Sequence, residues 1–450
     1  MKINRDKLKA ELKKETATYE GTHKESQKLF AQAKKCMLLG QAHNWQCMWS
    51  GNFPIYVEKA SGCHVQDVDG NEYVDFCLGD TGAMTGHTPK SVDMIAEKMK
   101  KGSTFMLPSE DHIWVGQELK RRFGLTYWQF ALSASDANRF AIRWARFATK
   151  RNKILVFNHC YHGTVDETLA QLYDYGVGPK EGNLGWGINP KETTKVVEWN
   201  DEEGLIEALK EEDVALVLAE PALTNISIVP AKEGYLELLR EETKKTGTLL
   251  LIDETHTISE GIGGFTRKFD LKPDMITVGK PIGSGIPVGV YGFSEELGAK
   301  IAAIYPKPEE ADCLGIGTTL TGTNIAASAV RATLEHVLTE ESYETMRHMA
   351  KRFAEGIQSV IDEYDLPWQV ILLGSRLEYL FTKEPPENGT DVYEAFHDFE
   401  LHEYLHLALM NRGIIITPFH NMALMCPDTT EADVDKHTKV FREVLGKIVD

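Results

Sequence analysis

LLLIDETHT (249–257) and MITVGKPIG (275–283) are the stretches whose reading decides the fold. Each opens on a short apolar run bounded by turn residues, the pattern of a strand buried in a parallel sheet. Asp253 ends the first run, and Lys280 ends the second before a Gly- and Pro-rich loop over 281–287. In open parallel sheets ligands gather at the carboxyl ends of the strands. A lysine and an aspartate at two such ends mark a candidate site, although each alone reads equally as a surface lysine and a helix-starting aspartate.

Working outward, KILVFN (153–158) and VALVLAE (214–220) repeat the pattern of TLLLIDE (248–254) and MITVGK (275–280). Helical stretches lie between them, including 135–149 and 233–246. This alternation predicts βα units and an α/β fold with a mostly parallel sheet. Residues 2–36 read as an exposed, charge-rich helix or arm. An antiparallel meander follows through 54–58, 63–68 and 73–77, its last turn being Asp69-Gly70-Asn71. After residue 323 two long helices are predicted, 323–339 and 340–364. Short strands VILLG (370–374), LEYLF (377–381) and GIIIT (413–417) then mix with helices 396–411 and 431–447, an α+β layout. The expected organisation is an N-terminal arm and meander over 1–75 that packs with the small domain, a large domain over 76–330, and a small C-terminal domain over 331–450.

The chain has 450 residues, enough for two domains with ample core. Its 49 basic against 67 acidic residues give a formal charge of −18, which argues against nucleic acid or an anionic membrane as partner. The seven cysteines, Cys36, Cys47, Cys63, Cys77, Cys160, Cys313 and Cys426, are scattered, with no CxxC pair. They are expected to be buried thiols in a reducing compartment. No apolar run approaches the ~20 residues that span a bilayer, so a cytosolic protein is expected.

Lysine at a buried strand end is a poor structural choice but a good Schiff-base nucleophile. A carboxylate on a neighbouring strand could hold a protonated pyridine nitrogen, the partner that pyridoxal phosphate (PLP) requires. WQFALSASDANRFAIRWARF (128–147) passes through Ser133-Ala134-Ser135-Asp136 into an amphipathic helix, whose start could bind a phosphate or be simply N-capped by serine. KILVFNHCYHGT (153–164) ends a strand and presents Tyr161-His162-Gly163, an aromatic able to stack on a ring and a glycine permitting close approach. Glu220 ends the VALVLAE strand, with Asn225 just beyond. Four strand ends thus converge on one rim.

With these motifs the chain resembles the class III aminotransferases of the fold-type I PLP enzymes, near glutamate-1-semialdehyde aminomutase and the amine transaminases. The resemblance runs from about residue 50 onward. It implies a large domain on a mostly parallel seven-stranded sheet plus a smaller α+β domain. Leu132 to Ala137 stands where the family has Asn-Ser-Gly-Thr-Glu-Ala, which implies phosphate contacts from Ser133, Ala134 and Ser135. Tyr161-His162-Gly163 matches Tyr-His-Gly, with Tyr161 on the ring face, and Glu220-Pro221 with Asn225 places Asn225 by the ring hydroxyl. Asp253-Glu254-Thr255 matches Asp-Glu-Val, giving Asp253 the ring nitrogen and Thr255 the opposite face; Lys280 matches the Schiff-base lysine. Residues 318–322 resemble Gly-Thr-Leu-Ser-Gly, which implies that Thr319 reaches the phosphate in a neighbouring subunit and that the protein is a homodimer with shared active sites.

The loop 79–83, which holds Asp80, matches a stretch on the substrate side. The aminomutase carries a substrate-carboxylate arginine before its first meander strand, where a gapless count puts Trp45 here. Arg376 and Arg412 remain as carboxylate partners or as ordinary surface ion pairs, the latter preferred for Arg412. The resemblance therefore implies, first, a PLP-dependent amine or omega transaminase passing an amino group to a keto acid such as pyruvate. The alternatives are a glutamate-1-semialdehyde-type 2,1-aminomutase, a β- or D-amino-acid transaminase, or a non-catalytic PLP-fold protein. The expected partners are small amines and keto acids.

Overall fold

The computed structural model describes residues 2–307, 314–395, 398–418 and 420–450. Its chain divides into two compact units, one made of Met1–Pro89, Glu341–Pro385 and Glu394–Asp450, the other of Lys90–Glu340 and Pro386–Tyr393.

The larger unit is built on a seven-stranded sheet. Its spatial order is Tyr127–Ala131, Gly289–Phe293, Met275–Val278, Leu249–Asp253, Val214–Ala219, Lys153–Phe157 and Thr194–Val197. The last five strands pair in parallel, with Leu251 opposite Met275 and Asp253 opposite Thr277. Gly289–Phe293 runs antiparallel to both of its neighbours. The expected α/β, mostly parallel seven-stranded sheet is thus present. Val214–Ala219 is buried at every position, which explains its unbroken apolar run. The strand Gly289–Phe293 is absent from the sequence reading because its two glycines weaken strand propensity. Both serve packing: a Cβ on Gly289 would meet the Ser133 carbonyl oxygen at 2.4 Å, and one on Gly292 would meet the Trp128 ring at 2.8 Å.

The smaller unit holds two sheets. Val57–Ser61, His64–Asp67 and Glu72–Asp75 form the antiparallel meander, and Ile414–Ile415 adds to its edge in parallel. Gln369–Leu373, Arg376–Leu380 and Met422–Leu424 form the other. The N-terminal arm is two helices, Arg5–Thr22 and Lys24–Ala33, and it is not simply exposed. Leu8, Glu15 and Tyr19 are buried at helical spacing, and the Tyr19 hydroxyl donates to the Phe53 carbonyl at 2.7 Å. Buried Glu15 accepts from Arg412 at 2.9 Å, so Arg412 is an ion-pair residue.

Two boundaries differ from expectation. Residues 76–89 stay with the smaller unit because Phe76 N–H donates to Ile415 and its carbonyl accepts from Leu424. The helix Asn324–His336, through which a boundary near 330 would cut, belongs wholly to the larger unit, where Ala329 and Ala332 pack on Ile95. Cys36 and Cys47 are exposed rather than buried, and Cys313 lies outside the described residues. Among the described residues no helix is long and apolar enough to cross a membrane.

Candidate active site

Lys280 follows the strand Met275–Val278 and opens a short 3-10 turn with φ of 49°. A left-handed backbone at a non-glycine residue is strained and persists only where its surroundings enforce it, often at functional sites. The side chain is half-buried, and its Nζ meets His256 Nε2.

One strand away, Asp253 is buried and fully engaged. Its Oδ2 accepts from Asn138 Nδ2 at 2.9 Å and from His162 Nδ1 at 3.0 Å, and its Oδ1 accepts from the Thr255 N–H at 3.0 Å. Burial opposes the charge, but the bond from His162 and its charge hold Asp253 well below the usual carboxylate range. Burial likewise disfavours the His162 cation, yet Cys160 and Asp253 lift it to about 10. Asp253 is therefore a permanent anion at neutral pH, with His162 as its counter-ion. Asn138 locks the pair by donating also to the His162 carbonyl at 3.1 Å and accepting from Thr277 Oγ1 at 2.7 Å. Glu254, next in sequence, turns away and is consumed by Thr257, Phe265 and Thr266.

The helix Ala134–Thr149 begins at this rim, with Ser133 as N-cap accepting from Asp136 N–H at 3.2 Å. The first N–H groups of such a helix have no intrahelical partner and suit an anion. Three glycines allow other chain segments to crowd its start. A Cβ on Gly163 would meet Ser135 Oγ at 2.0 Å, and one on Gly279 would meet the Ala134 Cβ at 2.8 Å; the third is Gly289. Ser135 Oγ accepts from the Thr164 N–H at 3.2 Å, tying this start to the loop that carries Tyr161 and His162.

Buried Glu220 accepts from Asn225 Nδ2 at 3.0 Å, and the same amide donates to the Tyr161 carbonyl at 3.2 Å. The larger unit thus brings together Ser133, Ala134, Ser135, Tyr161, His162, Glu220, Asn225, Asp253, Thr255 and Lys280 around one sheet edge. Among the described residues Thr255 Oγ1 is buried without a hydrogen-bond partner. That orphan hydroxyl, the anionic Asp253, the lysine and the helix start together fit a phosphorylated pyridine aldehyde. Asn138, Thr224 and His256 also belong here, though none carries a recognisable motif.

Thr319 is not part of this cluster as described; it sits on an exposed turn in which Thr321 Oγ1 accepts from the Thr318 N–H at 2.9 Å. The remaining expected site residues are in the smaller unit. Trp45 lies in a 3-10 turn, 42% exposed. Asp80 belongs to the run 78–81, in which four successive residues have positive φ. Arg376 is buried rather than on the surface and donates to Thr81 Oγ1 of that run at 2.7 Å.

Comparison with known proteins accords with this site. The aminotransferase class-III profile matches residues 46–445, and the chain belongs to that family. It is 32% identical over 444 residues to glutamate-1-semialdehyde 2,1-aminomutase 2 of Halalkalibacterium halodurans, covering 95% of this chain and 99% of the relative. A crystal structure named as a glutamate-1-semialdehyde aminomutase of Pseudomonas aeruginosa PAO1 superposes with a TM-score of 0.97 at 41% identity, over 100% of both chains. A lysine-to-alanine variant of that protein was solved in complex with PMP. An omega-transaminase of Sphaerobacter thermophilus gives a TM-score of 0.85 at 25% identity, over 94% of this chain and 97% of its own. The profile match begins one residue after Trp45 and so lends no support to pairing Trp45 with the family's arginine.

Proposed function

We propose that this chain is a PLP-dependent enzyme that moves an amino group between adjacent carbons of one small, carboxylate-bearing oxo-amine, as a glutamate-1-semialdehyde 2,1-aminomutase does. The observation that carries the chemistry is the strained Lys280 beside a buried, permanently charged Asp253. The aminomutase choice is supported by relatives of that name, one of them 41% identical along the whole chain. This reverses the order expected from sequence, where Trp45 weighed most.

Bound PLP would supply an electrophilic carbon for the amine and a ring that draws electrons from it. Lys280 would hold the cofactor, and its Nζ, when free as an amine, would take a proton from one substrate carbon and return it to another. Asp253 keeps a proton on the ring nitrogen, and His162 and Asn138 keep Asp253 charged and aimed. Ser133, Ala134 and Ser135 receive the phosphate. Tyr161 and Thr255 would hold the ring, with Asn225 and the Glu220 it donates to supplying polar groups beside it. Substrate contacts come from Trp45, Asp80 and Arg376, the last with a carboxylate. The protein works as a homodimer, Thr319 completing the neighbour's phosphate site. Among the described residues the six cysteines are free thiols, which supports a cytoplasmic location.

A second reading, an amine or omega transaminase using pyruvate, is favoured by one observation, an aromatic at Trp45 where a carboxylate-binding arginine was expected. Glutamate-1-semialdehyde is 4-amino-5-oxopentanoate, and moving its amino group by one carbon gives 5-amino-4-oxopentanoate. The protein should form that product from the semialdehyde with no keto acid added. No such product, together with alanine formation from an aryl-alkyl amine and pyruvate, would replace the first reading by the second.

A further inference from the structure

Behind Lys280 a line of polar atoms leads into the interior of the larger unit. Lys280 Nζ meets His256 Nε2; His256 Nδ1 is 2.6 Å from Thr224 Oγ1; and Thr224 Oγ1 meets Oε2 of buried Glu220. Glu220 Oε2 is also 3.8 Å from His256 Nδ1, so the hydroxyl lies between the two. We propose that Glu220, Thr224 and His256 form a proton relay that exchanges one proton with Lys280 Nζ and so sets the charge of that amine.

A hydroxyl has a single hydrogen, which makes the line directional. With Glu220 anionic, Thr224 donates to it and accepts from His256 Nδ1–H, leaving the Nε2 lone pair to accept from the Lys280 ammonium. The alternative is reached by three short transfers. Lys280 Nζ gives a proton to His256 Nε2, His256 Nδ1 gives its proton to Thr224 Oγ1, and Thr224 gives its hydrogen to Glu220 Oε2. The imidazole is neutral before and after, no other bond changes, and the pair passes from ammonium and carboxylate to amine and carboxylic acid. Asn225 donates to Glu220 Oε1 at 3.0 Å and tolerates both states, because that oxygen remains an acceptor.

Burial pushes the Glu220 carboxyl up, which brings its acid form within reach. The other charged groups facing it are His162, Asp253 and Lys180. His162 and Asp253 are paired with each other, so their fields at Glu220 largely cancel. Lys180 is held by the carbonyls of His159 and Cys160. Thr224 is therefore the direct link between the carboxyl and the imidazole. These are positioning residues: they act on the substrate only through Lys280.

The inference rests on Lys280 carrying the cofactor. The test is a pH titration of the visible absorption band of the holoenzyme, together with the pH profile of kcat, for the wild type, Thr224→Val, Thr224→Ser, Glu220→Gln and His256→Gln. Thr224→Val keeps the shape and removes the link. It should move the midpoint to lower pH by about one unit, a tenfold loss of proton affinity. Glu220→Gln and His256→Gln should move it in the same direction, and Thr224→Ser should restore the wild-type value. A Thr224→Val protein that titrates as the wild type, or a Thr224→Ser protein that fails to restore it, overturns the relay alone. A Lys280→Ala protein that keeps a borohydride-fixable cofactor overturns the role of Lys280 itself, and the relay with it.

Discussion

Replacing Asp253 by Asn tests the centre of the site in two independent ways. The amide oxygen can still accept from His162 Nδ1 and Asn138 Nδ2, so the size is kept, while the charge and the bond accepted from the Thr255 N–H are lost. His162 stands at about 10 against an ordinary 6.5, burial being outweighed by Cys160 and Asp253. An opposite charge at hydrogen-bond distance raises such a group by about 1–3 units, so the share of Asp253 is about 1–4 kcal/mol. The sign follows from the raised value. The stabilisation is complete below pH 6.5 and is lost as pH rises through about 10. In cofactor-free wild type, urea-unfolding stability should therefore fall across that window, and in Asp253→Asn, where Cys160 still acts on His162, it should fall by about 1–4 kcal/mol less. Turnover should fall by about 10²–10⁴, equivalent to about 3–5 kcal/mol in the barrier, because the ring nitrogen no longer keeps its proton. Equal pH slopes in the two proteins would refute the ion pair. A turnover loss under about tenfold would leave Asp253 as a strand-end cap.

Gly163→Ala puts a Cβ 2.0 Å from Ser135 Oγ at a φ of 85°, whereas Gly176→Ala meets nothing within 4 Å at a φ of 97°. Both should cost about 1–3 kcal/mol of backbone strain, but only the first should weaken PLP retention in equilibrium dialysis. Arg376→Ala should lower kcat/KM for carboxylate-bearing substrates about tenfold to a hundredfold, and Trp45→Ala, which removes an apolar contact and no carboxylate partner, should lower it less. The opposite ranking would favour the transaminase reading. Sedimentation at assay concentration should show a homodimer, and a fully active monomer would contradict the role given to Thr319.

Lys280 and Asp253 are legible in the sequence because each ends a strand whose burial on both faces leaves an unbroken apolar run. Ser133 to Ser135 are legible because hydroxyl residues precede an amphipathic helix. His256 and Thr224 are not, since both lie in irregular segments after strands and acquire meaning only when two such segments meet. Asn138 is hidden differently, as one polar residue on the buried face of a helix. Met422–Leu424 was missed because a three-residue strand has too few positions to show a period. Arg376 reads in the sequence either as a carboxylate partner or as a surface ion pair, and the burial of the strand Arg376–Leu380 at all five residues removes the second reading.

The smaller unit is discontinuous, and this bears on how the protein is made. Its meander strand Glu72–Asp75 is paired with Ile414–Ile415, more than three hundred positions later. During synthesis that edge stays open until nearly the whole chain has left the ribosome. The larger unit draws almost entirely on the unbroken stretch Lys90–Glu340 and can close its sheet earlier. Non-local pairing is slow because the intervening loop must be ordered first, and unpaired edges invite association with other chains. The hazard of misassembly therefore falls on the first ninety residues, which must wait, already synthesised, for partners not yet made.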